Sequence, residues 1–229
     1  MEILVNGISN VTNMDRMFGA ASFNGDVSTW DVSKVTNMNR MFYGATSFNR
    51  DLNNWNVSMV TNMTEMFGLA DSFNGDISQW DVSNVTDIDK MFVGAKSFDR
   101  DLSKWDVSNV TNMEGMFARA TSFKGDLSTW NVSKVTNMTF MFSSAISFNG
   151  DLSNWDVSNV TIMYDMFSKT NMSTANYDAL LTKWAALPNL QSNVAFGVHG
   201  LTYCDAWHAR HTLINDKNWT FTGDDSCPR

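Results

Sequence analysis

Tryptophan recurs at a fixed spacing of 25 residues through most of this chain. The surrounding letters recur with it, and one copy reads VTNMEGMFARATSFKGDLSTWNVSK over residues 110–134. Self-similarity at a period of this length is typical of a protein that stacks copies of one structural unit. We therefore predict an elongated repeat protein. The recurring tryptophans are Trp30, Trp55, Trp80, Trp105, Trp130 and Trp155.

Each unit has an apolar pattern that predicts one buried face. Met63, Met66 and Phe67 have the i, i+3, i+4 spacing of one or two helical turns. The pattern LxxWxV, as in 102–107, favours a short strand with Trp and Val pointing inward. One unit buries too little apolar surface to fold alone, so the units must stack. The predicted fold is an α/β repeat solenoid, with a parallel β-sheet on one side and short helical turns on the other.

We expect two regions along the chain. Residues 1–170 are predicted to form a solenoid of about seven coils, of which residues 1–10 are a degenerate N-terminal half coil. Residues 171–229 break the pattern and are predicted to form a C-terminal α/β cap over the last coil. The predicted cap elements are a helix over 174–187, a strand over 194–198, a helix over 205–216 and a strand over 219–222.

The two cysteines, Cys204 and Cys227, both lie in the predicted cap. Their pairing is the favoured interpretation, because a disulfide would tie down this terminal segment and would place the protein in an oxidising compartment. Two free thiols are the alternative. A metal site is less favoured still, because neither cysteine has a second ligand at a CxxC or CxxH spacing.

The net charge of -8 restricts the partners. Nucleic acids and anionic membranes are bound through clustered Lys and Arg, and this chain has no basic run. No apolar stretch approaches the roughly 20 residues that span a bilayer. The start, MEILVNGISN, lacks the basic and apolar regions of a signal peptide. We expect a monomer without a membrane span, and any export signal or anchor would lie outside this sequence.

Aspartate recurs once per unit, just before the Leu column. A row of carboxylates allows a calcium ladder, but like charges one strand spacing apart repel. The favoured interpretation is that each Asp accepts backbone N–H bonds in its own turn, so no cofactor is expected. The column comprises Asp26, Asp51, Asp76, Asp101, Asp126 and Asp151.

Threonine also recurs in every unit, from Thr12 to Thr161. A regular row of hydroxyl groups is similar to the surface of ice-binding solenoids. Here, however, each Thr adjoins an inward-facing Val and usually precedes Asn, which favours a corner that satisfies backbone groups. Ice binding stays an alternative to this interpretation.

The positions before and after each Trp should face outward and form a mildly acidic, hydrophilic strip. We take this Trp-flanking strip as the candidate binding surface. It comprises Thr29, Asp31, Asn54, Asn56, Gln79, Asp81, Lys104, Asp106, Thr129, Asn131, Asn154 and Asp156. Single units also deviate toward apolar residues, which allows a second patch. These deviating residues are Tyr43, Met59, Leu69, Val93, Phe140 and Ile146.

The motifs argue against an enzyme. The histidines, His199, His208 and His211, all lie in the cap, and no third metal ligand can be placed beside the last two. The sequence contains no GxSxG, no HExxH and no phosphate-cradling glycine loop.

The repeat resembles that of the BspA-like leucine-rich-repeat surface proteins. The resemblance rests on the run LSxWDVSNVTNMxxMFxxAxSFNGD, in which LxxWxVxxV corresponds to the LxxLxLxxN core of leucine-rich repeats, and it covers residues 1–170. The tail is also similar to the closing segment of that family. The resemblance implies a leucine-rich-repeat-like fold and an exported, surface-displayed adhesion or recognition protein. The matching tail residues are Asn176, Tyr177, Leu180, Trp184, Tyr203, Cys204, Ala209, Arg210, Leu213, Ile214, Trp219 and Cys227.

We therefore expect an extracellular, non-catalytic recognition or adhesion module that binds an unknown protein or glycan. A structural spacer of a larger surface protein is the main alternative, and an ice-binding solenoid is a further one. Plentiful NxS and NxT sequons would allow glycosylation in a eukaryotic secreted protein. Function should lie where the copies differ, because the invariant columns serve stacking. In the copy over 110–134 the differing positions are Glu114, Arg119, Lys124 and Thr129.

Overall fold

A computed structural model describes residues 8–228 of the chain. The predicted half coil over 1–10 therefore lies mostly outside the described residues. Among the described residues, no helix is both long enough and apolar enough to cross a lipid bilayer.

Successive repeat units are joined by backbone hydrogen bonds at a constant offset. The N–H of Thr61 donates to the carbonyl of Thr36, and that of Thr86 donates to Thr61, at 2.9 and 3.0 Å. One residue further on, parallel bridges join each unit to the next. Each unit is thus one layer of a stack, and we call the units layers below. The bridges run through Asn13, Asn37, Asn62, Asp87, Asn112, Asn137 and Ile162.

The strand predicted at LxxWxV does not lie there. In the copy over 102–110, the N–H of Trp105 donates to Leu102 and that of Val110 donates to Val107, so the chain turns twice in this segment. The physical reason is the Asp and Ser residues around the Trp, whose side chains close turns and so compete with an extended backbone. Within 8–170 the described β-bridges are single ones, which lie in the column from Asn13 to Ile162 and at Met163.

The segment predicted as helical turns is a chain of tight turns that also pairs between layers. Met66 donates within its own layer to Met63, whereas Glu65 and Phe67 donate to the next layer at 2.8 and 2.9 Å. Left-handed backbone at Glu65 and Leu69, with φ of 51° and 55°, permits this alternation. The Met and Phe side chains point inward. The outward side chains of 39–44, 64–69, 89–94, 114–119, 139–144 and 164–169 form a surface that we call the turn face.

Aromatic side chains stack along the core from layer to layer. Phe67, Phe92 and Phe117 are nearly parallel, with ring centroids 5.8 and 5.6 Å apart, and each packs on a second Phe of its own layer. The indole N–H of Trp80 donates to the carbonyl of Leu52 in the preceding layer at 2.9 Å, and Trp105 repeats this bond to Ile77. The Trp and Phe columns therefore combine apolar burial with a satisfied polar group.

The C-terminal region contains all the named helices and strands of the described chain. The helix α1 spans Thr174–Ala185 and the helix α2 spans Trp207–Asn215, close to their predicted ranges. Strand β1 (Ala195–Gly197) pairs in parallel with β3 (Thr220–Thr222), and β2 (Thr202–Tyr203) pairs in parallel with β4 (Asp225–Ser226). Cys204 and Cys227 form a disulfide, with their Cα atoms 5.0 Å apart.

This region continues the stack by two further layers. Met163, in the last repeat layer, forms a parallel bridge with Phe196 in β1, and Phe196 is in register with Phe221 in β3. Asp178 in α1 accepts the backbone N–H groups of Cys204, Asp205 and Ala206, and so caps the N-terminus of α2 from another element.

Candidate functional site

Five of the six carboxylates of the Asp column accept a backbone N–H within their own turn, whereas Asp51 accepts the N–H of Asp76 in the next layer. Oδ1 of Asp101 accepts the N–H of Ser103 at 2.9 Å, and Asp126 binds Ser128 in the same way. The hydrogen bonds from the N–H and the side chain of Ser103 hold the pKa of Asp101 below its usual value. Among residues 8–228, no group of three or more His, Cys, Asp or Glu side chains is gathered that could hold a metal ion.

The Trp-flanking strip is exposed along its whole length. The Asp and Asn side chains that follow each Trp accept hydrogen bonds within their own turns, as Oδ1 of Asp81 does from both the N–H and the hydroxyl of Ser83. The hydroxyl of Thr129 donates to the carbonyl of Ser103 in the preceding layer. Much of the polar capacity of the strip therefore serves the turns that hold the layers.

The Thr column is also used by the backbone. The hydroxyl of Thr86 donates to the carbonyl of Thr61 at 3.3 Å, and Thr161 donates to Thr136 at 3.1 Å. The same bond recurs in the layers between them. Each Thr therefore satisfies a corner carbonyl, which is the arrangement favoured by the sequence pattern.

A groove of about 490 Å³ lies on the turn face, toward its C-terminal end. We call it the turn-face groove. Its floor consists of small residues, because Gly115 and Ala118 are buried and Ser143 and Ser144 are half-buried. Phe140 stands beside this floor with 38% of its surface exposed. The groove is lined by Lys90, Val93, Gly115, Ala118, Arg119, Phe140, Ser143, Ser144, Asp165, Ser168, Lys169 and His199.

The cations of the groove differ in their pairing. Nζ of Lys90 lies 2.7 Å from Oε1 of Glu114, so its charge is largely neutralised. Arg119 and Lys169 are exposed, and the described part of the chain contains no ion pair to either of them. These two cations therefore remain available to a ligand.

His199 brings a Ser and an Asp together at the end of the groove. Its Nδ1 lies 3.1 Å from Oδ1 of Asp165 and 3.2 Å from Oγ of Ser168. The hydroxyl of Ser168 also donates to Asp165 at 2.8 Å. A catalytic triad needs the two ring nitrogens of the imidazole on opposite partners. Here both partners meet the same nitrogen, so this cluster lacks the relay of a Ser hydrolase.

Asp89 lies next to Lys90 at the N-terminal end of the groove. Burial, opposed by the charge of Lys90, raises the pKa of Asp89 to about 6. Nζ of Lys90 lies 3.4 Å from Oδ1 of Asp89. That oxygen is buried and has no hydrogen-bond partner among the described residues.

The sequence-predicted residues divide between several surfaces. Glu114 and Arg119 lie on the turn face, whereas Lys124 is paired with Asp99 at 3.0 Å and Thr129 belongs to the Trp-flanking strip. Of the deviating apolar residues, Val93 and Phe140 line the groove, and Tyr43 and Leu69 lie further along the turn face. Met59 and Ile146 are exposed elsewhere.

Sequence reasoning missed most of the groove. In its floor, Ala118 belongs to a column that holds Gly68 and Ser143 in other units, whereas Gly115 belongs to a column where the other units carry charged or larger side chains. That contrast between copies is a signal that could have indicated a depression. His199 and Lys169 carry no such signal, because His199 comes from beyond the repeats.

The comparisons with known proteins place the chain in one family. Residues 3–98 and 71–184 both match the family described as "Mycoplasma protein of unknown function, DUF285". Searches of the curated proteins and of the solved structures gave no significant match. Because the two matched segments together cover most of the sequence, the chain belongs to this family of Mycoplasma proteins of unknown function.

Proposed function

We propose that the protein is a non-catalytic, surface-displayed recognition module that binds a protein or glycan in the turn-face groove. The observation that carries this proposal is the groove itself, to which five successive layers contribute lining residues. Lys90, Gly115, Phe140, Asp165 and His199 each come from a different layer. A concave site with a few convergent polar groups is the usual form of a ligand site.

The scaffold of this proposal is a leucine-rich-repeat-like solenoid of the BspA-like kind. Its support is the constant offset of the inter-layer hydrogen bonds and the repeat motif of the sequence. The family to which the chain belongs carries no assigned function, so the adhesion role follows from the motif and the groove.

An extracellular location is part of the same proposal. The Cys204–Cys227 disulfide supports it, because disulfides persist in oxidising compartments and are rare in the cytosol. The module of this proposal is non-catalytic, and the His199 cluster, in which Asp165 and Ser168 share one ring nitrogen, is not arranged as the triad of a Ser hydrolase.

The experiment that tests this function fills the groove and compares binding. Wild-type protein is applied to an array of immobilised glycans and peptides, together with Ser143→Trp and the matched control Met59→Trp. Ser143 is a half-buried floor residue, whereas Met59 is 54% exposed outside the turn face. We expect Ser143→Trp to lose the signals that wild type gives and Met59→Trp to keep them.

Two outcomes would contradict the proposal. If Ser143→Trp keeps every signal while it remains folded by circular dichroism, the ligand surface is elsewhere. If wild type binds nothing on the array, the protein acts as a structural spacer.

A further inference from the structure

The two available cations of the groove have a fixed spacing. Arg119, Ser144 and Lys169 occupy the same column in three successive layers, and all three have left-handed backbone with φ near 60°. Two layer spacings separate the Cα atoms of the cations by about 9.6 Å, since neighbouring strands lie about 4.8 Å apart. A ligand that contacts both cations with their side chains extended carries acid groups at separated positions.

The surface between these cations offers hydroxyl groups and an aromatic ring. Ser143, Ser144 and Ser168 line the groove. Phe140 packs edge-on against Tyr164, at 5.5 Å and 86°, and both rings are exposed. A sugar presents hydroxyl groups along its edge and C–H groups on its face, and these suit a site of hydroxyl groups beside an aromatic side chain.

The local charge favours an acid even though the chain carries -8 overall. Exposed charges further away than about 8 Å are largely screened at physiological salt. Within the groove Lys90 is paired with Glu114, while the carboxylate of Asp165 accepts from Ser168 and contacts His199. Among the described residues that line the groove, Arg119 and Lys169 are therefore the two unpaired cations, and they outnumber the single carboxylate, Asp165.

A peptide ligand fits this surface less well than a saccharide. Peptides often bind by adding a strand to a free backbone edge. On this face the backbone N–H groups of Arg119, Phe140 and Ser144 already donate to the next layer, at 2.7–2.8 Å. Recognition must rely on side chains alone, which is sufficient for a ligand rich in hydroxyl and acid groups.

We propose that the turn-face groove binds an acidic saccharide, with Arg119 and Lys169 each receiving one acid group and Phe140 packing against a sugar face. This inference rests on the proposed function and specifies its ligand. Carboxylated and sulfated sugars share the chemistry that these cations recognise.

Calorimetric titration with defined oligosaccharides tests the inference. The acidic probes are a hyaluronan hexasaccharide, which carries carboxylates, and a heparin hexasaccharide, which also carries sulfates. Chitohexaose is the neutral probe and hexaglutamate is the acidic peptide probe. We expect at least one acidic saccharide to bind more tightly than both comparison probes, and the more tightly bound one identifies the preferred acid group.

Charge-removing variants then assign the binding to the two cations. Arg119→Gln and Lys169→Gln should each weaken the binding affinity for the acidic saccharide about tenfold, as expected for loss of a hydrogen bond to a charged group. The matched control is Lys183→Gln, which removes the same charge from an exposed position on α1, outside the groove and the Trp-flanking strip, and should keep full affinity.

The inference is overturned if neither acidic saccharide binds, or if chitohexaose or hexaglutamate binds as tightly as the acidic saccharides. It is also overturned if Arg119→Gln and Lys169→Gln both keep full affinity. The proposed function survives such a result when Ser143→Trp still abolishes binding of an array ligand. It fails with the inference only when Ser143→Trp leaves all binding intact or nothing binds at all.

Discussion

The indole N–H of Trp184 donates to the carbonyl oxygen of Leu152 at 3.3 Å. From Trp55 to Trp155 the same bond joins each repeat Trp to the residue 28 positions earlier, as in Trp155 to the carbonyl of Leu127. The helix α1 therefore supplies the indole that a seventh repeat would have supplied. This bond joins the cap to the stack through the same contact that joins one layer to the next.

Trp184→Phe should destabilise the protein by about 2–3 kcal/mol, because it leaves a buried carbonyl without its donor and removes packed volume. Trp184 is fully buried. The matched control is Trp207→Phe, at a residue that is 44% exposed, and it should change the free energy of unfolding by less than about 0.5 kcal/mol. Urea denaturation measures both, and equal effects would contradict the role assigned to Trp184.

Asp224→Asn should cost about 3–5 kcal/mol, because it leaves the guanidinium of Arg210 without its partner inside the cap. Arg210 makes two hydrogen bonds to the Asp224 carboxylate, both at 2.8 Å, and Tyr177 donates a third at 2.9 Å. The Asp224 side chain is only 1% exposed.

The control for this prediction is Asp71→Asn, which breaks the exposed pair between Asp71 and Lys96. It should cost less than about 1 kcal/mol, since solvent screens such pairs. Thermal denaturation compares the two variants, and a smaller loss for Asp224→Asn than for Asp71→Asn would refute the prediction.

Replacing both cysteines, Cys204→Ser with Cys227→Ser, should lower the free energy of local unfolding of the C-terminal segment by about 3 kcal/mol. The disulfide closes a loop with a sequence separation of 23 residues, and its loss gives the unfolded chain more freedom. Hydrogen exchange should accelerate in β2 and β4 and stay unchanged in the repeat layers. Uniform acceleration along the chain would show that the disulfide does not act locally.

Asp101→Asn should be nearly neutral at pH 7, whereas Asp101→Ala should cost about 1 kcal/mol. An amide oxygen can accept the N–H of Ser103 as the carboxylate does, and Asn56 already binds Ser58 in this way. Because the pKa of Asp101 is lowered, the carboxylate stabilises the fold above its usual pKa of 3.8, and this contribution is lost as the pH falls. Calcium should leave the melting temperature unchanged, and a rise specific to calcium over magnesium would revive the calcium ladder.

Asp89→Asn should stabilise the protein at pH 7 by about 1–3 kcal/mol. The pKa of Asp89 is raised from 3.8 to about 6. Burial is the largest cause, the charges of Glu114 and Asp87 act in the same direction, and the charge of Lys90 opposes them. The protonated carboxyl therefore contributes stability that is complete below the unfolded pKa and is lost as the pH rises through about 6.

The variant should remove this loss, so its stability should exceed that of wild type increasingly between about pH 4 and 7. Asp51→Asn is the control, because Asp51 is exposed and an amide can still accept the N–H of Asp76. Parallel pH profiles for wild type and Asp89→Asn would argue against an effect of this carboxyl.

The sequence pattern predicted which side chains are buried better than it predicted the local backbone conformation. Columns such as Trp105 and Phe117 are buried as their periodicity indicates, because only stacking can bury so many large side chains in register. The strand expected around Trp105 is replaced by turns, since Asp101 and Asp106 hydrogen-bond to the Ser residues two positions on. The apolar periodicity of the sequence gives no information on the competition between these side-chain hydrogen bonds and an extended backbone.

The groove was harder to predict because it is formed where side chains are small. Gly115 and Ala118 leave room that only a comparison between adjacent layers reveals. His199 reaches the groove through the pairing of Lys169 with the first cap layer, where the offset is no longer 25 residues. Sequence spacing therefore gives no direct indication of that contact.

Because the bridged positions of the repeat layers from Asn37 to Ile162 recur at a constant offset of 25 residues, the length of this protein can change in whole units without changing how these layers meet their neighbours. Deleting or duplicating 25 residues in the N-terminal half would alter the reach of the molecule, but Arg119, Lys169 and His199 would keep their mutual positions. The position of the groove is thus fixed relative to the cap and not relative to the N-terminus. Related proteins with different numbers of repeat units can therefore differ in the distance between the groove and the N-terminal end of the chain while the groove itself is unchanged.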